Sequence, residues 1–366
     1  MGIKRNTPDI PDTTNTPEEF NRIDDVPVER TEGLLEESER SLLRLMEKLN
    51  PCDQRYYIGE KAFLITYRRR INLLSFLKRG RIPYTLRIVG FPVSLVKKGY
   101  FGDLEEISNM IQSLKGFTLV LNADGDLDLP RGYTLSSFVL PIVDRNLEEY
   151  LERMRSPYRY RLKKALEKGK LYRVRRMPGE EFSQELYELY LDVYQRSEAP
   201  LECLPMEFFK EMPGEIYVFE SSHEGSSDKR SSYGGEKERA IGFLLLAHQQ
   251  ETLNFLFGGF LEKDVKAYDL YYGMLLEMVR IAMEKGARFL ELGQTAEESK
   301  AKMGAKEMEK HLYLTHSNPL IRKILPKLLH LGSYQPGVHR YRVFKEAEKD
   351  GQQNTSTIRE GIDQQR

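Results

Sequence analysis

One acidic residue in this sequence lies between apolar neighbours, where its carboxylate is a candidate for proton transfer. Glu291 alternates with Leu290 and Leu292 in a short apolar run that ends at Gly293. Such alternation predicts a strand whose charged side chain lies on the face opposite to its neighbours. A carboxylate that points into a cleft can accept a proton, directly or through water. Glu291 is therefore a candidate general base, and the alternative is a surface carboxylate or one held in an ion pair.

The loop and the helical segment after this strand carry polar and basic residues. Gln294 and Thr295 follow the strand end directly, where side chains reach a ligand, and they are candidate substrate contacts. Lys300, Lys302 and Lys306 come next. Their spacing alone equally fits the solvated face of a helix.

Three tyrosines precede the strand at the start of a predicted helix. Tyr268 and Tyr272 are four residues apart and share one face, whereas Tyr271 shares the face of Leu275 and is expected to pack in the core. Tyr268 and Tyr272 are therefore candidates to donate a proton or to contact an acceptor.

A second candidate surface is a basic segment earlier in the chain. Residues 153–176 contain eleven lysines and arginines and a single acid, Glu167, with tyrosines between them. Cations beside aromatic rings suit a polyanion such as tRNA or a nucleotide-linked precursor, with Arg159 and Arg161 among the contacts. A cationic face balanced by acidic residues elsewhere is the alternative.

The elements that must position these residues form one crossover. An apolar run, TLNFLFGGF, ends in two glycines and predicts a buried strand. A helix with a basic last turn follows and closes at Lys285–Gly286, and the strand of Glu291 comes after it. A strand–helix–strand unit of this length leaves a crevice at its strand ends, where ligands bind.

Composition restricts the class of protein. The chain has 366 residues, enough for two domains, and its 56 basic residues equal its 56 acidic ones, so binding to a polyanion needs a local patch. The two cysteines are far apart, and the six histidines show no metal-ligand spacing, which predicts neither a disulfide framework nor a metal site. No apolar run is long enough to insert into a membrane, and we predict a cytoplasmic protein.

The order of strands and helices predicts an α/β protein with two related units side by side. The predicted segments are a disordered tail over residues 1–33, a first unit over 34–145, a second unit over 146–346 and a disordered tail over 347–366. Oligomeric state is not predicted.

Five segments of the second unit share a pattern with one family. They are Arg153–Arg175, Glu180–Ser197, Glu215–Ala247, the strand end Glu291-Leu292-Gly293-Gln294-Thr295, and Ser299-Lys300 with Met303-Gly304-Ala305. Together they resemble the acyltransferase domain of the GNAT superfamily, in the branch that also contains the Fem-type peptidoglycan aminoacyltransferases. The resemblance covers roughly residues 147–316, and residues 56–143 are compatible with the extra N-terminal unit of the Fem branch.

The resemblance implies a GNAT-like mixed sheet with flanking helices, in two tandem units. It also implies an N-acyltransferase that moves an acyl or aminoacyl group from an activated carrier to an amine. The carrier is acyl-CoA (acetyl-CoA) or an aminoacyl-tRNA, and the acceptor is a small-molecule or cell-wall-precursor amine.

Site residues also follow from the resemblance. Leu256, Phe257, Gly258 and Gly259 correspond to the strand whose backbone N–H groups lie beside the donor. Close packing or a bulge explains the two glycines equally well. Ala267 and Tyr268 stand where the superfamily binds the coenzyme A pyrophosphate, although the glycines of that motif are missing here. Lys300 stands where Fem-type relatives have a functionally important lysine, which binds phosphate or stabilises negative charge. The alternative function is a non-catalytic module of the same fold that holds RNA or a phosphorylated glycan precursor through the basic segment.

Overall fold

The structure is a computed structural model that describes residues 17–50, 52–72, 83–93, 95–124, 127–197, 203–221, 239–332 and 341–345. Two mixed β-sheets with helices packed on their faces make up this part of the chain. The predicted α/β class, with mixed sheets and flanking helices in two units, is confirmed.

The first sheet is mostly antiparallel and contains eight strands among the described residues. They are β1 (Glu18–Phe20), β2 (Arg55–Ile58), β3 (Ala62–Asn72), β4 (Pro83–Val89), β5 (Tyr100–Gly102), β6 (Phe117–Ala123), β7 (Arg131–Tyr133) and β15 (His311–His316). The order is β1-β2-β3-β4-β6-β15-β7, with β5 paired to β3, and β4 and β6 run parallel. Helices α1 (Glu37–Leu49) and α2 (Leu104–Ser113) belong to this unit.

The second sheet has seven strands in the order β14-β8-β13-β12-β11-β10-β9. They are β8 (Ser137–Pro141), β9 (Tyr172–Met177), β10 (Glu215–Ser221), β11 (Ala240–Gln249), β12 (Thr252–Phe260), β13 (Phe289–Glu291) and β14 (Lys306–Met308). The helices around it are α3 (Leu147–Arg153), α4 (Ser156–Gly169), α5 (Gln184–Arg196), α6 (Met206–Glu211), α7 (Glu262–Tyr268), α8 (Leu270–Glu284) and α9 (Glu297–Lys302), and α10 (Pro319–Gly332) follows β15.

Helix α1 joins the two units through a shared core. Its residues Leu43 and Met46 are buried in one cluster with Phe208 and Phe209 of α6. Full burial of such a side chain contributes about 1.5–3 kcal/mol relative to exposure, so this cluster is a main contribution to the packing between the units.

The predicted boundary at residue 145 does not separate the two sheets. Strand β8 precedes the boundary but pairs with β13 and β14 of the second sheet. Strand β15 follows the boundary but pairs with β6 and β7 of the first. The units therefore exchange one strand each, a pairing between distant segments that local sequence patterns do not encode.

The prediction of disorder over residues 1–33 is wrong for residues 17–33. This stretch forms β1 and two short 3-10 helices, and Ile23 and Val26 are buried. The buried guanidinium of Arg40 donates hydrogen bonds to the Ile23 and Val26 carbonyls, which satisfies backbone groups that would otherwise favour water. Residues 1–16 and the predicted tail at 347–366 lie outside the described residues.

Of the helices in the described ranges, none combines the length and apolar character needed to cross a bilayer.

Candidate functional site

The crossover predicted from the sequence is present, and its two strands separate partway along. Strand β12 runs parallel to β13 from Thr252 to Asn254, and the last pair is Asn254 with Glu291. Strand β13 ends there, whereas β12 continues to Phe260. The edge of β12 beyond Asn254 is therefore not paired with β13, and its peptide groups can bond a ligand in extended conformation.

A β-bulge changes the direction of β12 just after the point where β12 and β13 separate. Its register against β11 shifts between Phe255, opposite Leu246, and Phe257, opposite Leu245, so Leu256 is the extra residue. Bulges bend a strand and redirect its side chains. Phe255 and Leu256 both line a cleft of about 840 Å³.

This cleft lies between the two units. One wall comes from the start of α1 and from residues 95–98, including Lys97 and Lys98, and the other comes from β11 and β12. Lys97 is paired with Glu39 at 2.9 Å. The first-unit wall was missed at the sequence level, because it forms only when the units pack.

Glu291 lies where the strand separation meets the cleft. Its side chain lines the cleft, and the residue as a whole is 7% exposed. The Gly293 N–H donates to Glu291 Oε1 at 3.2 Å, which fixes the carboxylate on the turn after β13. The structure thus places the predicted base in a cleft large enough for a substrate.

Lys300 is buried behind the same turn. It is 3% exposed, and its Nζ donates hydrogen bonds to the carbonyls of Gly293 at 3.1 Å and Gln294 at 2.6 Å. Burial lowers the pKa of Lys300 to about 7, against the opposing effect of Glu291 and Glu297. Lys300 is not a solvated lysine: it anchors the turn that orients Glu291.

The turn itself has an uncommon backbone conformation. Thr295 and Ala296 have φ values of 66° and 47°, in the left-handed region that costs a non-glycine residue about 1–3 kcal/mol. Backbone strain of this kind concentrates at functional sites. Thr295 is exposed at this turn and does not line the cleft, and its contact with a substrate stays a prediction.

The side chain of Gln294 contacts the first unit. Its amide group donates to Asn122 Oδ1 at 3.0 Å and to the Leu135 carbonyl at 2.5 Å. Both N–H groups of the side chain are therefore used within the protein, and Gln294 links the turn to the first unit. These two bonds give Gln294 a structural role, and its predicted contact with a substrate stays a prediction.

Arg161 and Tyr272 also differ from their predicted roles. Arg161 makes a bidentate ion pair with Asp269, at 2.5 and 2.6 Å, and its guanidinium lies 4.0 Å from the Tyr272 ring centre. Tyr272 is covered by this guanidinium and does not line the cleft. The structure thus brings Glu291 and Lys300 together but leaves Tyr272 on the α4 side of α8.

The predicted pyrophosphate site is filled by protein structure. Ala267 and Tyr268 lie in the last turn of α7, where backbone N–H groups bond within the helix. Asp269 then adopts a left-handed φ of 52° and begins α8, with its carboxylate held by Arg161. A phosphate here would meet a carboxylate, so these residues do not fit a coenzyme A pyrophosphate. An aspartate between two helical runs, a residue that tolerates φ above zero, was the sequence signal for this junction.

The residues predicted to flank the donor divide between the cleft and the core. Leu256 lines the cleft, whereas the ring of Phe257 packs edge-on against Phe208 at 5.5 Å. A Cβ at Gly259 would lie 2.4 Å from the Phe243 ring and 2.7 Å from the backbone of α5, and one at Gly258 would lie 3.1 Å from the Phe243 carbonyl. Close packing of α5 against β12 therefore accounts for Gly259 without a donor beside it, which favours the packing alternative.

The basic segment is partly neutralised. Arg153, Arg173, Arg175 and Arg176 form ion pairs with Asp144, Glu220 or Glu215. Four cations on α4 have no carboxylate partner among the described residues: Arg159, Lys163, Lys164 and Lys168. Tyr160, on the same side of α4, is 74% exposed. In the described ranges, three or more histidine, cysteine or acidic side chains do not come together in a metal-binding arrangement.

No protein-family model matches the chain, and no curated protein sequence does. Similar solved structures include the C-terminal DUF2156 domain of an Agrobacterium fabrum protein (12% identity, 81% of this chain and 90% of that chain, TM-score 0.48). FemX is 12% identical, with 76% of this chain and 92% of that chain covered and a TM-score of 0.48. L-PGS from Bacillus licheniformis is 10% identical, with 79% of this chain and 96% of that chain covered and a TM-score of 0.47. At these identities and TM-scores, the likeness assigns neither a family nor an activity to the chain.

Proposed function

We propose that the protein is an N-acyltransferase that moves an acyl or aminoacyl group from an activated carrier to an amine. The observation that carries this proposal is the position of Glu291, a buried carboxylate at the point where β12 and β13 part, facing a cleft of about 840 Å³. The resemblance of residues 147–316 to acyltransferases supports the same reading.

The unpaired edge of β12 holds the donor. A carrier arm laid beside β12 in extended conformation bonds to the peptide groups that β13 leaves free after Asn254. The bulge at Leu256 turns the strand at this point, so its N–H groups can converge on the donor carbonyl. When the amine attacks, these N–H groups stabilise the oxyanion of the tetrahedral intermediate.

Glu291 removes the proton that the attacking amine must lose, directly or through a water molecule. The new C–N bond forms as the proton passes from the amine nitrogen to the carboxylate. The bond to the carrier then breaks, and the protonated Glu291 returns the proton to the departing oxygen or sulfur of the carrier. Lys300 holds the turn by donating hydrogen bonds to the carbonyls of Gly293 and Gln294. The N–H of Gly293 in turn fixes the Glu291 carboxylate. Lys300 is thus a positioning residue in this scheme.

The carrier is better matched by an aminoacyl-tRNA or a similar polyanion than by coenzyme A. The start of α8 carries the Asp269–Arg161 pair in place of phosphate-binding glycines. The unpaired cations of α4 and the exposed Tyr160 form a surface beside α8 that suits a phosphate backbone.

The test is a transfer assay with full-length protein. Acetyl-CoA and a mixture of aminoacyl-tRNAs are each supplied with amine acceptors, including free amino acids and cell-wall-precursor peptides, and mass spectrometry detects acylated product. We expect product with the aminoacyl-tRNAs. Transfer from acetyl-CoA alone would overturn the carrier assignment, and the absence of transfer from both donors would overturn the proposed activity.

A non-catalytic RNA-binding module is the second candidate, and the unpaired cations of α4 favour it. It predicts salt-dependent RNA binding that is unaffected by Glu291→Gln, with no acyl product from any donor. Product formation that Glu291→Gln abolishes excludes this reading.

A further inference from the structure

Helix α10 presents one face to the core and another to solvent. It packs against β15 and β7 of the first sheet, and Leu325 and Leu329 on its inner side are buried. Arg322 is held against the protein by a hydrogen bond from its guanidinium to Gln112 Oε1 at 2.5 Å. The inner face is therefore fully used by the fold.

The outer face carries two parallel rows of side chains. Leu320 and Ile324 are 72% and 57% exposed, and a spacing of four residues places them in one row. Lys323 and Lys327, also exposed and four residues apart, form the adjacent row. Neither lysine has a carboxylate partner within the part of the chain that the structure describes.

The sequence from residue 310 to residue 345, which contains α10, carries charges of one sign. Residues 310–345 contain no aspartate or glutamate, but they contain lysine or arginine at positions 310, 322, 323, 327, 340, 342 and 345. The chain as a whole is neutral, with 56 basic and 56 acidic residues. Of these seven residues, Lys323 and Lys327 lie exposed on the outer face of α10, whereas Lys310 is buried and paired with Asp124.

We propose that the outer face of α10, formed by Leu320, Lys323, Ile324 and Lys327, docks on the surface of an anionic lipid bilayer. An amphipathic helix with cations beside aliphatic side chains lies in the interface plane, with the aliphatic groups at the acyl boundary and the ammonium groups at the lipid phosphates. The inference does not depend on acyl transfer.

Two other partners fit this face less well. Two aliphatic side chains supply far less area than the roughly 800 Å² per partner of a stable protein interface. Nucleic acid would use the lysines, but a phosphate backbone gains nothing from exposed Leu320 and Ile324. An anionic bilayer uses both rows together.

The experiment is co-sedimentation of the full-length protein with vesicles. One set is phosphatidylcholine alone and the other contains phosphatidylglycerol as well. We expect binding to the anionic vesicles that weakens with salt, and little binding to the neutral ones. Lys323→Gln/Lys327→Gln should lower the partition coefficient about thirtyfold at low ionic strength, because each lysine near the surface contributes about 1 kcal/mol. Leu320→Ser/Ile324→Ser should lower it about tenfold or more.

Matched controls separate this face from general charge or apolarity. Lys263→Gln/Lys266→Gln removes the same number of exposed lysines from α7, and Val143→Ser removes an apolar side chain that is 59% exposed; both variants should bind vesicles like the wild type. The proposal is overturned if the wild type does not bind anionic vesicles, or if it binds neutral vesicles equally well. It is also overturned if the controls lose as much binding as the α10 variants, or if the Leu320/Ile324 variant alters oligomeric mass while vesicle binding stays unchanged.

Discussion

The Nζ atom of Lys300 lies 2.6 Å from the carbonyl oxygen of Gln294, and this contact closes the turn between β13 and α9. The same ammonium also bonds the carbonyl of Gly293, the residue whose N–H holds the Glu291 carboxylate. One buried lysine side chain therefore fixes a strained turn, and through it the orientation of the candidate base.

The first prediction concerns the pH dependence of stability. The folded pKa of Lys300, about 7, lies below its ordinary value of 10.5, so between these values the unfolded chain binds more protons at this residue. Stability should therefore rise with pH above about 7, with a slope that approaches about 1.4 kcal/mol per pH unit. Lys300→Met should remove this contribution, as measured by urea unfolding at a series of pH values from neutral to mildly alkaline.

The control for this measurement is Lys302→Met. Lys302 pairs with Glu298 at 2.6 Å, and that hydrogen bond raises its pKa, so its removal should leave the slope above neutral pH in place. An identical slope in the wild type and Lys300→Met would show that Lys300 titrates normally.

The second prediction is that Glu291→Gln abolishes most of the transfer activity while preserving the fold. Loss of a general base lowers kcat by about 100- to 10,000-fold. The glutamine is isosteric and can still accept the Gly293 N–H through its carbonyl, so donor binding and the melting temperature should change little. Steady-state kinetics and thermal unfolding check the two halves of this expectation. Glu309→Gln, at an exposed carboxylate, serves as the control and should retain full activity.

The third prediction tests the packing role of Gly259. A Cβ there would lie 2.4 Å from Phe243 and 2.7 Å from the backbone of α5, so Gly259→Ala must displace the helix or the strand. Overpacking of this kind costs about 1–3 kcal/mol. Gly90→Ala is the matched variant, since its nearest neighbours would be 3.7 Å away. Chemical denaturation should show a lower free energy of unfolding for Gly259→Ala and an unchanged one for Gly90→Ala. Equal stability of the two variants would contradict the packing account.

The fourth prediction concerns the junction of α7 and α8. A double-mutant cycle on Arg161→Ala and Asp269→Ala should give a coupling energy of about 1 kcal/mol, because the pair is bidentate but partly exposed. Arg161→Lys should recover little of the coupling, since a lysine cannot form the two parallel hydrogen bonds. Coupling near zero would mean that the pair does not hold the start of α8.

The crossover was readable from the sequence because its signals are local. Apolar runs, the glycines after them and the alternation around Glu291 all lie within one strand–helix–strand unit, and the structure has each element near its expected place. The side-chain contacts of Gln294 and Arg161 could not be predicted in this way. Their partners Asn122 and Asp269 are more than 100 residues away in the sequence, and only the folded chain brings them together.

Gly259 shows a second reason for the errors. A glycine at the end of a strand is expected wherever another backbone approaches closely, and the sequence does not say whether that backbone belongs to a ligand or to the protein itself. Here it belongs to α5. The wall of the cleft formed by Lys97 and Lys98 was likewise invisible, because no sequence pattern specifies how the two units dock.

The exchange of β8 and β15 has a consequence for biosynthesis. Strand β15 lies between β6 and β7, so the first sheet lacks an inner strand until residue 316 has left the ribosome. The first half of the nascent chain therefore cannot complete this sheet until the second half has been synthesised. Translation products that stop between the two exchanged strands should be cleared by proteases, and the protein should mature only after synthesis has passed its last strand.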